Sequence, residues 1–252
     1  MASVERVVDL SELGEGRRVP ATIALRPARF DRVARLYRAM EYLSFGPMLE
    51  RCRFHHIPAV KGARRALVVG DGDGRFLARL LAAAPHLRAD AVDGSSAMLH
   101  LLRRRIALQG DLRRITATCA DARIFTPSSG GYDLVVTHFF LDCLTERETE
   151  GLVACLRPGL VPGARWLVSE FQVPEGGGLR KGLARAVIGG LYAAFGWLTG
   201  LRVRRIPEWR VVLKRHGFAR RAAHTWLGGL LVSEVWEVAE QPRPFCCPPT
   251  EK

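Results

Sequence analysis

Gly70, Gly72 and Gly74 alternate with Asp71 and Asp73, after the apolar run Ala66-Leu67-Val68-Val69 and before Arg75-Phe76-Leu77. Glycine removes the side chain where backbone has to close on a ligand, and the first turn of a helix offers unpaired N–H groups at the positive end of its dipole. Strand, turn and helix start therefore describe a place where main chain holds a small ligand. A dinucleotide fingerprint reads G-x-G-x-x-G, but the sixth position counted from Gly70 is Arg75, so the spacing here is G-x-G-x-G. Two carboxylates inside the loop repel a pyrophosphate and suit a neutral or cationic ligand. Nineteen residues past Gly74 a second apolar run ends at Asp93, where a carboxylate can accept hydrogen bonds from both hydroxyls of a ribose. A third run ends in Cys119-Ala120-Asp121-Ala122, which puts another acid where an adenine amino group can be read. A glycine turn and two acids on three successive strands are far more specific than a glycine loop alone.

The order of apolar patterns supplies the frame for these side chains. Strand-like runs at Ala66–Val69, Ala89–Val92, Ile115–Cys119, Leu134–Thr137 and Arg165–Ser169 are separated by helical patterns at Arg75–Ala84, Ser96–Leu108 and Glu146–Leu156. That alternation predicts an α/β fold with a mostly parallel sheet, helices on both faces, and a ligand site at the carboxyl ends of the strands. A further helix is expected over Glu208–His216, followed by a terminal antiparallel hairpin, Ala219–Trp226 and Leu231–Val238, joined through Gly228-Gly229. Ahead of the sheet, Val33, Leu36, Tyr37, Met40 and Leu43 recur at helical spacing, and a second short helix is expected over Leu49–Phe54. Residues 1 to 27 show no sustained period and read as an arm.

Together these residues resemble the class I S-adenosylmethionine-dependent methyltransferases over roughly residues 60 to 240. The resemblance runs through the G-x-G-x-G loop, the segment Asp93-Gly94-Ser95-Ser96-Ala97-Met98-Leu99, Ala120-Asp121-Ala122, Tyr132-Asp133-Leu134-Val135-Val136 and Leu156-Arg157-Pro158-Gly159. It implies a Rossmann-like sheet of seven strands, S-adenosylmethionine as cofactor, and a cofactor site built from Gly70, Asp71, Gly72, Asp73, Gly74, Asp93, Gly94, Ser95, Met98, Asp121, Ala122 and His138. The helical prelude, Phe30–Tyr37 and then Leu43-Ser44-Phe45-Gly46, is similar over a short stretch to the ubiquinone/menaquinone-biosynthesis C-methyltransferases. One position departs from the family pattern. Many members carry an acid two residues before the first glycine, where it helps hold the methionine amino group, and here that residue is Val68. Either Asp71 or Asp73 takes over, or the cofactor is held more weakly.

Methyl transfer from a sulfonium is an in-line displacement, so alignment of nucleophile, methyl and sulfur supplies most of the catalysis. An acceptor phenol, enol or activated ring carbon would also benefit from a base. The ends of the fourth and fifth strands offer His138 as base, Asp142 as its orienter and Glu170 as a rival base. Two plainer readings stand beside these: His138 lining the nucleoside, and Asp142 capping the helix that opens at Thr145-Glu146. Phe139 and Phe140 read as core or adenosine-wall residues.

The chain has 252 residues with 48% hydrophobic and 25% charged side chains, enough for one sizeable core. Its net charge of +13 invites a polyanion, yet Leu179–Arg221 alone holds eleven Lys/Arg against Glu208. The charge is thus a local property. The uncharged stretch Ala186–Leu201 within it carries Leu191, Tyr192, Phe195, Trp197 and Leu198. An apolar helix edged by arginines suits peripheral contact with an anionic membrane through residues 179–205, or a buried lid with basic ends. The organisation expected is an arm and helical lid at 1–59, a methyltransferase domain at 60–240 with a basic apolar insertion at 176–207, and a tail at 241–252. The acceptor expected is a small molecule, lipophilic or quinone-like. An RNA or DNA methyltransferase and a non-catalytic cofactor-binding module are the alternatives, the former weakened because no Asn/Asp-Pro-Pro-aromatic signature ends the fourth strand. Six cysteines without a CxxC pair or Cys/His metal spacing point to no metal and to a reduced, cytoplasmic chain, with Cys119, Cys143 and Cys155 expected in the core.

Overall fold

The computed structural model describes residues 45–109, 112–127, 131–174 and 206–239, with single positions between 178 and 190. The arm, the first prelude helix, nearly all of the basic insertion and the tail lie outside the described residues.

Seven strands form one sheet in the order β3-β2-β1-β4-β5-β7-β6. They are β1 Arg65–Val69, β2 Arg88–Asp93, β3 Ile115–Cys119, β4 Tyr132–His138, β5 Leu160–Phe171, β6 Phe218–Trp226 and β7 Leu231–Val238. The strands β1 to β5 pair in parallel, and β7 runs antiparallel between β5 and β6. The fold is therefore the Rossmann-like one with a terminal antiparallel hairpin, as the alternation predicts. The chain order reverses at β1, which has β2 on one side and β4 on the other, and open α/β sheets bind their ligands at such a switch point.

Side-chain alternation divides the core between the two faces of the sheet. From β1, Ala66 and Val68 point to a cluster built with Phe76, Leu77, Leu80 and Leu81 of α3 (Arg75–Ala83) and Leu99, Leu102 and Ile106 of α4 (Ser96–Gln109). Leu67 and Val69 point the other way, to Leu152, Val153 and Leu156 of α5 (Glu146–Leu156) and Trp209, Val212 and Leu213 of α6 (Trp209–Arg215). Because both faces are covered, β1 reads as an unbroken apolar run. The prelude contributes α1 (Met48–Phe54), and α2 (Ile57–Val60) joins it to β1. The helix α5 opens on a capping box in which Thr145 and Glu148 satisfy one another's backbone N–H groups.

The cysteines depart from expectation. Among the described cysteines, Cys119 and Cys155 are exposed, Cys143 is half-buried, and Cys52 on α1 is fully buried. The strand β3 is a sheet edge, which leaves Cys119 uncovered, and Cys155 stands with Ala154 on the outer face of α5, between the inward-facing Val153 and Leu156.

Two glycines of the first loop are required by space as well as by backbone angle. Gly70 has φ +72°, and a Cβ there would lie 2.4 Å from the Phe140 ring. Gly74 has φ +77°, and its Cβ would lie 2.6 Å from Leu102. A Gly74→Ala substitution should cost about 2–5 kcal/mol, from the left-handed backbone and the overpacking against α4 together. Chemical denaturation of the variant and parent measures it, and equal midpoints would contradict this packing.

Candidate functional site

Hydrogen bonding across the parallel strands brings their carboxyl ends to one edge. Val69 pairs with Val92 on one side and Thr137 on the other, and His138 pairs with Ser169. Gly70 donates its N–H to Val92 O at 2.8 Å, and Ala120 donates to Asp93 O at 3.1 Å. The glycine turn, Asp93 and His138 thus share an edge although they are far apart in sequence.

Asp93 is held for use by main chain. Its Oδ2 accepts the N–H of Gly72 at 3.2 Å and its Oδ1 accepts that of Ser95 at 2.9 Å. A Cβ at Gly72 would meet only Met98 Sδ, at 3.7 Å, and at Gly94 it would meet nothing. Between them Gly72, Gly94 and Asp93 leave main chain and a carboxylate accessible at the strand ends. This fits the nucleoside cradle implied by the sequence. Ser95 and Met98 open α4, with the Met98 N–H donating to Ser95 Oγ at 3.2 Å.

The acids of the turn are committed differently. Asp73 accepts from Arg75 Nε at 3.0 Å and from an Arg105 guanidinium nitrogen at 2.8 Å, and Arg75 also reaches Glu50 of α1 at 2.9 Å. This chain of ion pairs ties the turn to α1, α3 and α4. Asp71 accepts the Leu77 N–H at 2.9 Å across the start of α3, and desolvation of its carboxyl pushes its pKa up to about 7. Val68, in place of the missing acid, is 1% exposed and belongs to the core face of β1.

Asp121 is bound to Arg123, which also reaches Glu148 of α5 at 3.1 Å. That bonding holds the Asp121 carboxyl below its usual range. Ala122 beside it is buried.

His138 is 5% exposed, and neither ring nitrogen has a hydrogen-bond partner among the described residues. Its ring stands edge-on to Phe76, with centroids 4.4 Å apart. Burial, and then the charge of Arg53, hold its pKa well below 6.5, so it is neutral. The structure does not bring Asp142 to it as an orienter, nor does Asp142 cap α5, since Thr145 does that. Asp142 turns beneath the β4 loop instead, where Cys143 Sγ lies 3.5 Å from its Oδ1.

Glu170, fully buried, lies under the same loop. Its Oε1 accepts the N–H groups of Phe140 at 3.1 Å and Leu141 at 2.8 Å, while Oε2 has no partner among the described residues. Those bonds brace a loop whose first residue, Phe139, has φ +52°, a costly angle for a non-glycine residue. Burial raises the pKa of Glu170, and the nearby Asp142 adds to the effect.

Two features of the site were not read from the sequence. Arg53 of α1 is buried, with its guanidinium 5.0 Å from the centre of the Phe139 ring, and its charge acts on both Asp71 and His138. The available signal was an arginine on the inward side of a short amphipathic helix. Phe171 links Phe139 and Phe45 at centroid distances of 5.1 and 5.3 Å, making an aromatic wall beyond the ends of β4 and β5.

Residues 67–166, from β1 into β5, match the family model described as a methyltransferase domain. No curated protein sequence matches the chain. Among solved structures, it is similar to the N-methyltransferase NodS from Bradyrhizobium japonicum WM9 in complex with S-adenosyl-L-homocysteine. The two are 14% identical with a TM-score of 0.55, covering 76% of this chain and 88% of that one. A putative O-methyltransferase from Nostoc punctiforme PCC 73102 is 15% identical with a TM-score of 0.65, covering 86% of this chain and 64% of that one. An O-methyltransferase family protein from Burkholderia thailandensis is 17% identical with a TM-score of 0.61, covering 84% and 63% respectively. The chain spans less than two thirds of the length of these two O-methyltransferases. At such identities the likeness is one of fold.

The Asp142 carboxyl, ordinarily near 3.8, is pushed up to about 6, first by burial. The folded chain therefore binds more protons than the unfolded chain between those values, and its stability falls as pH rises through that window. Asp142→Asn removes this cost. Its melting temperature should gain on the parent by about 2–8 °C between pH 4 and pH 7, from a penalty of at most about 3 kcal/mol. A constant difference across that range would contradict the assignment.

Proposed function

We propose that the chain is an S-adenosylmethionine-dependent methyltransferase whose acceptor is a small, lipophilic molecule with an aromatic or quinone-like ring. The observation that carries this reading is the convergence at one sheet edge of the uncovered Gly72, Asp93 and His138, whose ring has no hydrogen-bond partner among the described residues, next to the wall of Phe45, Phe139 and Phe171. When bound, S-adenosylmethionine supplies an electrophilic methyl group on a sulfonium.

Each residue has a role that follows from its surroundings. Asp93 holds the ribose hydroxyls, the turn at Gly70–Gly74 approaches the ligand through main chain, and Gly94, Ser95, Met98, Asp121 and Ala122 border the nucleoside. Asp71 takes the place of the acid missing at Val68 and faces the methionine amino group. Asp73 is excluded from that role because two guanidinium groups already claim its oxygens. Arg53 pairs with the methionine carboxylate. Glu170 and Asp142 brace the β4 loop, and His138 holds the nucleophilic group of the acceptor by a hydrogen bond. Burial beside Arg53 disfavours the imidazolium, so the contribution of His138 is chiefly orientation. Among the described residues no helix is long and apolar enough to cross a membrane. The basic, aromatic-rich segment 179–205 gives a lipophilic acceptor its route in from an anionic surface.

Incubating the protein with isotope-labelled S-adenosylmethionine and a lipid and metabolite extract should give a methylated product by mass spectrometry. With that acceptor in hand, His138→Ala should lower turnover about 100-fold and leave the cofactor Kd within about twofold, while His138→Gln recovers much of the rate. Loss of cofactor affinity in both variants would move His138 to the nucleoside.

If Asp71 must be ionised to hold the amino group, the cofactor should bind more tightly as pH rises from 6 to 8, by up to about tenfold per unit below a pKa near 7. His138 is neutral throughout this range and adds nothing to the slope. Calorimetric titration at pH 6, 7 and 8 should show the trend in the parent and its absence in Asp71→Asn. A pH-independent Kd in the parent would remove Asp71 from the role.

A further inference from the structure

Arg123 joins two acids that come from different elements, and one of them stands at the nucleoside. Asp121 lies two residues past Cys119, which pairs with Asp93 in the strand register, and the Ala120 N–H donates to Asp93 O at 3.1 Å. The Asp121 carboxylate therefore belongs to the same edge as the ribose acid, where an adenine amino group can be read. Both of its oxygens are claimed by one residue. Oδ1 accepts the Arg123 backbone N–H at 3.0 Å and Nε at 2.8 Å, while Oδ2 accepts Nε at 3.0 Å and a terminal guanidinium nitrogen of the same side chain.

The guanidinium is fixed from its far side too. Its other terminal nitrogen donates to Glu148 Oε1 at 3.1 Å, while Glu148 Oε2 accepts the Thr145 N–H and hydroxyl, each at 2.8 Å, in the capping box of α5. A strut thus runs from the end of β3 to the start of α5. Ion pairs this exposed contribute little singly, but a forked pair inside a network of three charges is the favourable case. The Arg123 N–H bond to Asp121 Oδ1 is the short-range turn that aspartate readily makes, and the Ile124 N–H closes it further on Asp121 O at 3.2 Å. Guanidinium and carboxylate are opposite in charge and matched in shape. A purine amino group is neutral and offers one bond, so it does not displace that fork.

We propose that Arg123 is a specificity-determining residue which, by occupying Asp121, keeps the cofactor site from selecting for the exocyclic amino group of the purine. The inference rests on the reading of the chain as an S-adenosylmethionine-dependent enzyme and concerns only how the base is chosen. The nucleoside is held through its ribose by Asp93 and through main chain at the glycine turn, and neither contact distinguishes adenine from a 6-oxopurine. Removal of the guanidinium frees Asp121 to accept from an amino group. A 6-oxo group would then face the same carboxylate as one acceptor against another.

Calorimetric titration of the full chain with S-adenosyl-L-homocysteine and with S-inosyl-L-homocysteine, which has oxygen in place of the adenine amino group, measures the selection directly. The parent should bind the two with Kd values within about threefold of one another. Arg123→Gln should bind the adenosyl compound about tenfold or more tightly than the inosyl one, as expected for one hydrogen bond to a carboxylate. Asp121→Ala/Arg123→Gln should return to the ratio of the parent, because the gain runs through the freed carboxylate. Arg123→Lys keeps a charge near Glu148 without the planar fork, so its ratio should fall between those of parent and Arg123→Gln, and it replaces the glutamine variant if that one does not fold. A parent preference of about tenfold or more overturns the proposal. So does an unchanged ratio in both Arg123 variants, or a gained preference that survives the loss of Asp121. If the parent binds neither compound, the cofactor reading falls and this proposal with it, whereas binding of both with the wrong ratios overturns the proposal alone.

Discussion

The turn between β1 and α3 can close only while hydrogen stands in place of a side chain at Gly70 and Gly74. The Phe140 ring occupies the space above the first and Leu102 of α4 the space beside the second. Both glycines also sit at positive φ, where any other residue is strained. Everything else in the site is registered against this turn. Gly70 hydrogen-bonds to β2, Gly72 donates to Asp93, and the start of α3 is bound by Asp71.

Two polar arrangements support that contact from opposite sides. On the solvent side, the ion pairs of Asp73 with Arg75 and Arg105, extended to Glu50, hold α1 against the turn. On the buried side, Glu170 bonds the backbone of Phe140 and Leu141 and so positions the Phe140 ring that rests on Gly70. A buried carboxyl with two main-chain donors is better supplied than an isolated one, yet burial still favours its protonated form. The β4 loop therefore rests on a carboxyl group kept largely out of water. Its first residue, Phe139, carries the strained backbone and faces both Arg53 and Phe171.

Much of the fold was legible because each signal is local. The strand Ala66–Val69, the helix from Arg75 and the hairpin at residues 219–238 follow from period and glycine placement, and they lie within a residue or two of the observed bounds. Asp93 was legible because a strand end and the strand order place it. The role of Asp142 was not, because whether a side chain beyond a strand end turns toward its neighbour or under the loop depends on the backbone at Phe139. Cys119 and Cys155 were misread for a related reason: apolar neighbours in sequence say nothing about which residue of an edge strand or helix faces outward.

What the sequence determined by itself is the order of strands and helices, the glycine turn that no other residue type can make, and the acids that end the second and third strands. These depend on backbone preferences and on periodicity, which act over a few residues. Only the tertiary structure decided which acid of the turn is engaged by arginines, that His138 is buried with no hydrogen-bond partner among the described residues, and that Arg53 lies beside them. It also brought Arg123, two residues from Asp121, to Glu148 at the start of α5. Those outcomes depend on contacts between residues distant in the chain, where packing sets the direction of each side chain and burial sets the charge it can hold.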